Sequence, residues 1–164
     1  KGKGGIYFSK YYIDESEIFY RSNLSTAFVN YKPVVPGHVL IVPTRIVRRY
    51  ADLSPEEVAD LAATVHYLSP RLEKHFGGTS LTITIQDGPE AGQTVDQVHV
   101  HLIPRKGDDF VPNDKVYEEI DGSDLSDRTP QKVDNEERPI RSAEAMAEEA
   151  AAIRKMLNTP MSQL

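Results

Sequence analysis

Two histidines separated by one residue are the side chains in this sequence best suited to chemistry. His99 and His101 lie in an apolar, β-branched run over residues 98–103. Side chains at i and i+2 of a strand point to the same face, so we expect both imidazoles to face one cleft. With an unperturbed pKa of about 6.5, imidazole keeps a neutral, nucleophilic nitrogen at neutral pH. The pair therefore indicates nucleophilic or metal chemistry.

A loop rich in turn residues stands immediately before this strand. Gly88, Pro89 and Gly92 interrupt the chain just before Gln93 and Thr94. Such a loop can direct backbone N–H groups and an amide side chain at whatever the histidines contact. Strand, loop and paired imidazoles together predict a site that handles phosphate and contains a nucleophile.

The stretch 86–105, QDGPEAGQTVDQVHVHLIPR, resembles the histidine triad family, in which three histidines alternate with apolar residues. The resemblance is to the fragile histidine triad branch, the dinucleoside polyphosphate hydrolases. Further similar segments are FVNYKPVVPGHVLIVP at 28–43, EKHF at 73–76 and VYEEI at 116–120. The similarity is close over residues 6–119 and looser in the C-terminal helical segment. Gln97 stands where the family has its first triad histidine.

The pattern of strand-like and helix-like segments predicts an α+β fold, a five-stranded antiparallel sheet carrying two main helices. The resemblance implies the same histidine-triad-like fold and a two-fold homodimer. It also implies hydrolysis of diadenosine triphosphate to AMP and ADP through a covalent nucleotidyl-histidine. In that reaction the catalytic residues would be His99 as nucleophile, His101, His38 and Gln93. The substrate-binding residues would be Asn30, Gln86, Gly92, Gln93, Thr94, Val95 and His101.

The departure at Gln97 bears directly on activity. Two residues before His99, it is expected on the same strand and the same face. Glutamine can orient a neighbour but cannot exchange a proton in the neutral range, whereas histidine can do both. The sequence therefore predicts an enzyme that is active, but less active than one with histidine at position 97.

The chain divides into five stretches by composition and pattern. We expect an N-terminal tail at 1–5, a histidine triad domain at 6–106, a mobile acidic segment at 107–141, a helix packing on the same domain at 142–157, and a tail at 158–164. The acidic segment has low hydrophobicity and no period, which is typical of disorder. Tyr117 lies within it and is expected to be an exposed regulatory handle. A helix should begin at Ser54, and Pro70 should kink it or end its first part.

Composition excludes several classes of protein. Hydrophobic residues make up 39% of the 164 residues, and the chain has no cysteine, so disulfide and thiolate chemistry are excluded. The net charge of −6 argues against a general nucleic-acid binder, which needs a basic surface. No apolar run could cross a membrane, and we see no secretory signal, so we expect a cytoplasmic or nuclear protein. We expect no cofactor or metal held by the protein, and Mg²⁺ carried with the polyphosphate substrate.

Three alternatives remain open from the sequence. His38, His99 and His101 could form a zinc centre, although the neighbouring glutamines suit phosphate better. A slow or inactive nucleotide-binding signalling module is compatible with Gln97. A nucleoside phosphoramidate hydrolase is the third alternative, which the PEAGQT loop and the acidic insertion disfavour.

Overall fold

The computed structural model describes residues 4–121 and 140–164 of the chain. The strands are β1 (Ile6–Phe8), β2 (Tyr11–Ile13), β3 (Ile18–Arg21), β4 (Ser25–Val29), β5 (Val39–Pro43), β6 (Ser80–Ile85) and β7 (Val100–Arg105). The α-helices are α1 (Pro55–His75), α2 (Lys115–Asp121) and α3 (Ala143–Leu157). No helix in the described part of the chain is long and apolar enough to span a membrane.

The main sheet has five antiparallel strands in the order β3-β4-β5-β7-β6. The first two strands pair with each other as a separate antiparallel hairpin. The sheet and the two long helices, α1 and α3, confirm the predicted α+β class. Because β7 lies between β5 and β6, the strand that follows the loop containing Gly88 and Gly92 is an interior strand, and its backbone is hydrogen-bonded on both sides.

One face of the sheet carries the main hydrophobic core. Helices α1 and α3 pack on it through Leu61, Leu68, Leu72, Met146, Ala150, Ile153 and Met156. The sheet contributes alternate residues from its central strands, among them Ile41, Val100 and Leu102. Burial of this many aliphatic side chains is the largest stabilising contribution, at roughly 1.5–3 kcal/mol for each fully buried side chain.

The other face carries the histidines. It is covered by the β1–β2 hairpin, whose Phe8 and Ile13 pack with Phe28, Leu40 and neighbouring residues in a second cluster. Register pairs Leu40 with His101, and residues opposite each other in a sheet share a face. The period of two thus sends Val100 and Leu102 of β7 to the core under α1 and α3, and His101 to the opposite face.

Helix α1 begins where the sequence predicts and continues through Pro70. Ser54 is its N-cap, and the Ser54 and Glu57 side chains form a reciprocal capping box. Pro70 does not end the helix, which continues to His75. The buried stripe of α1 continues past Pro70 to Leu72, and this packing outweighs the single backbone hydrogen bond that proline removes.

The acidic segment expected at 107–141 is partly ordered. Helix α2 lies inside it, and Val116 and Ile120 are buried against Ile103 of β7. Two apolar residues four positions apart are enough to pack one helical turn against the sheet. So short an apolar pattern is not recognisable within an acidic stretch of sequence. Tyr117 is exposed, as expected, while residues 122–139 lie outside the described part of the chain. In the expected C-terminal tail, Leu164 packs against the main core.

Candidate active site

Three buried imidazoles meet where β5 and β7 run side by side. His38 immediately precedes β5, His99 immediately precedes β7, and His101 lies within β7. The ring centroids of His38 and His101 are 5.2 Å apart, and those of His99 and His101 are 5.0 Å apart. All three side chains are at least 95% buried. The structure therefore brings the two sequence-adjacent histidines to one face and adds His38 beside them.

A chain of hydrogen bonds fixes the protons on His38 and His101. The backbone N–H of Val34 donates to His38 Nδ1 at 3.0 Å, so that nitrogen carries the lone pair. His38 Nε2 must then carry the proton, and it lies 2.9 Å from His101 Nδ1, to which it donates. In the neutral ring of His101 the remaining proton is on Nε2. His101 is thus prepared as a hydrogen-bond donor.

His99 has the opposite arrangement of its two nitrogens. Its Nδ1 lies 2.7 Å from the backbone carbonyl oxygen of Gln97, which can only accept, so Nδ1–H donates. The in-plane lone pair of the neutral ring is consequently on Nε2. Phe8 lies edge-on to this ring, with centroids 5.2 Å apart. One imidazole is therefore prepared as a nucleophile and its neighbour as a donor.

Burial keeps the His101 imidazole neutral. Desolvation, and then the nearby His38 and His99 rings, lower the pKa of His101 well below its ordinary value of 6.5. A cationic ring here would have no carboxylate to compensate it among the contacts described above. The donor role of His101 therefore comes from the neutral tautomer rather than from a positive charge.

Asn30 closes the buried end of this chain. Its Oδ1 accepts from the backbone N–H of Lys32 at 2.9 Å, and its Nδ2 lies 3.3 Å from His38 Nε2. Because that His38 nitrogen donates to His101, the Asn30 amide contributes close packing there rather than a second good hydrogen bond. Asn30, expected from the sequence to contact substrate, is 2% exposed and stands behind His38.

The loop before β7 holds itself together more tightly than the sequence predicts. Backbone N–H groups of Gly92 and Gln93 donate to the carbonyls of Pro89 and Gly88. The Gln93 side chain accepts from Gly88 N–H at 2.7 Å, and its Nε2 donates to the carbonyls of Arg48 and Val95. These donors, expected to face phosphate, are used inside the protein in this structure. The Gln93 side-chain amide can donate to a ligand only if it breaks its hydrogen bond to the Arg48 or the Val95 carbonyl.

The remaining predicted residues lie around the same loop. Gln86 follows the end of β6 and is partly buried, Thr94 is exposed, and Val95 is buried in the hairpin-side cluster with Phe8. Gly88 has φ +106°, and a Cβ there would lie 3.2 Å from the Arg49 guanidinium. Glycine is therefore required where this loop begins.

The sequence predicted that Gln97 shares a strand face with His99, and this prediction is wrong. The strand begins only at Val100, and Gln97 lies in a bend where its N–H donates to the Val95 carbonyl. The alternation of a strand does not apply to such a tight turn. The Gln97 side chain is fully buried and bonds to Ser9 N–H and the Pro43 carbonyl. Its backbone oxygen, not its amide, contacts His99.

Sequence reasoning missed the backbone groups that set the tautomers, Val34 N–H and the Gln97 carbonyl. Neither leaves a trace in residue type, because every residue carries an N–H or a C=O. For the zinc alternative, no group of three or more His, Cys, Asp and Glu side chains suited to a metal ion occurs within 4–121 and 140–164. His38 Nε2 and His101 Nδ1 are bonded to each other rather than directed at a common point.

Comparison with known proteins agrees with this geometry. The HIT domain family matches residues 13–108. The bifunctional bis(5'-adenosyl)-triphosphatase/adenylylsulfatase FHIT of Arabidopsis thaliana is 43% identical, over 92% of this chain and 83% of its own length. The bis(5'-adenosyl)-triphosphatase of Dictyostelium discoideum is 45% identical, over 92% of this chain and 91% of its own length. The chain belongs to the histidine triad family.

Within that family, these relatives place it in the fragile histidine triad branch. Among solved structures, Plasmodium falciparum diadenosine triphosphate hydrolase in complex with cyclomarin A superposes with a TM-score of 0.74. It is 34% identical, and the match covers 96% of this chain and 87% of that one. The Caenorhabditis elegans NitFhit protein superposes with a TM-score of 0.75 at 38% identity, covering 95% of this chain and 31% of that chain.

Proposed function

We propose that this protein hydrolyses dinucleoside polyphosphates, with diadenosine triphosphate converted to AMP and ADP through a nucleotidyl-histidine. The observation that carries the proposal is the opposite tautomer setting of adjacent imidazoles, His99 with its lone pair on Nε2 and His101 with its proton there. The names of the relatives support the substrate class. A nucleophile beside a neutral donor is what in-line attack on a phosphoanhydride requires.

In the first step, His99 Nε2 attacks the α-phosphorus, and the bond from that phosphorus to the bridging oxygen breaks. The nucleoside diphosphate leaves with the electron pair of that bond. The ring now carries phosphorus on Nε2 and a proton on Nδ1, so it is cationic. The Gln97 carbonyl, 2.7 Å from Nδ1, stabilises this charge more than it stabilises the neutral ring. His101 Nε2–H donates to a phosphoryl oxygen, where negative charge gathers.

In the second step, water attacks the same phosphorus and the N–P bond breaks. The electron pair returns to Nε2, His99 regains its neutral tautomer, and the water proton passes to solvent. Release of AMP completes the turnover. Mg²⁺ would be carried by the polyphosphate substrate and, when bound there, would offset the charge of the leaving diphosphate.

The test is product analysis with diadenosine triphosphate and Mg²⁺. We expect equal amounts of AMP and ADP, and loss of at least about 10⁴-fold in kcat/KM for His99→Asn, because no other group replaces the nucleophile. His75→Asn is the matched control, since His75 is exposed at the end of α1. Tight nucleotide binding without products would contradict hydrolysis and favour the signalling alternative, in which exposed Tyr117 would be a regulatory handle.

Substrate choice within the family needs a separate comparison. We expect a higher kcat/KM for diadenosine triphosphate than for an adenylated lysine. Both substrates place an α-phosphorus before the same nucleophile, so only contacts to the leaving group can discriminate between them. A preference for the adenylated lysine would assign the protein to phosphoramidate hydrolysis instead.

We propose, in addition, that two copies associate through the edge of the sheet. Strand β6 is an edge strand, and its Ile83 side chain is 51% exposed. Beside it lies an open apolar groove of about 740 Å³ between β6 and α1, lined also by Val58 and Val65. An uncovered edge with apolar side chains is a site for pairing with another chain.

Light scattering tests the dimer. We expect a dimeric mass that Ile83→Asp converts to a monomer, because a carboxylate would be buried in the interface. Ile46→Asp is the matched control, since Ile46 is also 51% exposed and lies in the loop after β5. A monomeric protein at micromolar concentration would contradict this part of the proposal.

A further inference from the structure

Gln97 joins two elements that the strand pairing does not connect. Its Oε1 accepts from the backbone N–H of Ser9, in the β1–β2 turn, at 2.6 Å. Its Nε2 donates to the carbonyl of Pro43, the last residue of β5, at 2.9 Å. The side chain is fully buried, and this one amide uses both a donor and an acceptor.

The same residue also holds the reactive ring. The Gln97 backbone carbonyl accepts from His99 Nδ1, and Phe8, directly before Ser9, lies edge-on to the His99 ring. Ser9 has φ +54°, a left-handed backbone conformation that residues other than glycine rarely adopt. A bond to Ser9 N–H therefore stabilises an otherwise unfavourable turn and, with it, the position of Phe8.

We propose that Gln97 is a positioning residue that clamps the N-terminal hairpin to the end of β5 and thereby fixes the carbonyl that orients His99. This inference rests on the proposed role of His99 as the nucleophile. The amide of Gln97 exchanges no proton with substrate and acts only through His99 and Phe8. Its effect belongs in kcat rather than in KM.

The chemistry of the amide explains why glutamine suits this position. Glutamine presents one acceptor and a donor group at every pH at which the protein is folded. Neutral histidine also offers one acceptor and one donor, but histidinium offers two donors and would lose the bond from Ser9 N–H. The expectation that histidine at 97 would raise activity required a side chain facing the reacting centre. Here it faces Ser9 and Pro43, so that gain no longer follows.

Three substitutions give three different pH signatures in the ratio of variant to wild-type kcat. In Gln97→Glu, the carboxylate has no proton for the Pro43 carbonyl, so we expect a loss of about tenfold or more at pH 8. Protonation restores a donor and an acceptor in the shape of glutamine, so the ratio rises towards one as pH falls. In Gln97→His the ratio falls as the ring is protonated, below about pH 6.5. In Gln97→Met it is low throughout.

Protection of the Ser9 amide from hydrogen exchange, measured by NMR, reads the clamp without using activity. We expect protection in the wild type and its loss in Gln97→Met. The control is Thr44→Val, which removes the hydroxyl bond between Thr26 and Thr44 (2.8 Å) next to Pro43 without touching Gln97 or His99. Its ratio should not vary with pH, and Ser9 should stay protected.

Gln97→Glu and Gln97→Met with wild-type kcat at every pH would overturn the inference, as would an unprotected Ser9 amide in the wild type. If Gln97→Met does not fold, the recovery of kcat in Gln97→Glu as pH falls still tests the inference. A wild-type protein that forms no AMP and ADP would contradict the proposed hydrolysis, not the clamp. In that case Ser9 protection in the wild type and in Gln97→Glu, compared at acid and alkaline pH, decides the clamp alone.

Discussion

Polar side chains are buried at both ends of β7, but their hydrogen-bond partners are neutral at one end and include a charged carboxylate at the other. At the first end, His99 and His101 are bonded to a backbone carbonyl and to another neutral imidazole. At the last end, the Arg105 guanidinium is bonded to both carboxylate oxygens of Asp109, at 2.7 and 2.8 Å, and also to Asn113 and Thr82. The first end contains no carboxylate partner in these contacts, and the second is an ion pair.

The difference separates the groups that we propose react with substrate from the groups that stabilise the fold. The Arg105–Asp109 pair lowers the pKa of Asp109 to about 2, which keeps both charges at any physiological pH. Burial lowers the pKa of His101, which keeps that ring neutral. A guanidinium whose nitrogens all donate to protein groups stabilises one arrangement of the fold. In a neutral imidazole, a hydrogen bond to one ring nitrogen fixes the protonation of the second nitrogen, which stays available to a ligand.

Removing the donor at the reactive end should have the largest effect. We expect His101→Asn to lower kcat by about 10²–10⁴-fold, because the phosphoryl oxygens lose a preorganised donor. We expect the variant to keep its fold. AMP binding and the melting temperature, measured alongside kcat, check this. A loss below threefold would mean that His101 does not contact the phosphoryl group.

Removing the charge at the holding end should change stability and leave activity intact. We expect Asp109→Asn to reduce the free energy of unfolding by about 2 kcal/mol, because the Arg105 charge stays mostly buried with weaker partners. Urea unfolding measures this, and kcat should stay within twofold. Asp96→Asn is the matched control, since the Arg48–Asp96 pair is exposed and should contribute nothing measurable.

The holding end also predicts a pH dependence. Because the pKa of Asp109 falls from 3.8 to about 2 on folding, its contribution is complete above about pH 4 and is lost as pH falls towards 2. Asp109→Asn should remove that part of the acid slope. Equal acid slopes in the two proteins would show that the Arg105–Asp109 pair does not persist in solution.

The smallest effect is the pH dependence of stability at the reactive end. His101 is harder to protonate when folded than when unfolded, so the unfolded chain binds the extra proton below about pH 6.5. Stability should therefore fall, by on the order of 1 kcal/mol per pH unit, as pH drops below 6.5. Urea unfolding of His101→Asn between pH 7 and 5 should show a shallower slope. An unchanged slope would mean that burial does not lower the pKa of His101 in the folded protein.

Much of the fold follows from local patterns in the sequence. The capping residues Ser54 and Ser142 start α1 and α3 where they are predicted, and the apolar run after His99 forms β7, an interior strand of the sheet. Helix α2 escaped prediction because its burial depends on Ile103, far away in the sequence, and not on any period of its own. The continuation of α1 through Pro70 likewise depends on packing rather than on propensity.

The clustering of the histidines was predictable from the sequence, but their proton arrangement was not. The spacing of His99 and His101 predicts a shared cleft, and family resemblance adds His38. The tautomers depend on Val34 N–H and the Gln97 carbonyl, which only the folded backbone brings into place. Gln97 shows the limit most clearly, because a strand pattern extended back to this residue, three positions before β7 begins, assigns its side chain to the wrong neighbours.

Capture of the covalent intermediate tests the central claim most directly. Diadenosine triphosphate is mixed with the protein, quenched within milliseconds without acid, which would cleave an N–P bond, and the digested protein is mapped by mass spectrometry. We predict one adenylyl group on His99, formed with an equimolar burst of ADP, and none in His99→Asn. An adenylyl group on another residue, or wild-type turnover by His99→Asn, would contradict the account.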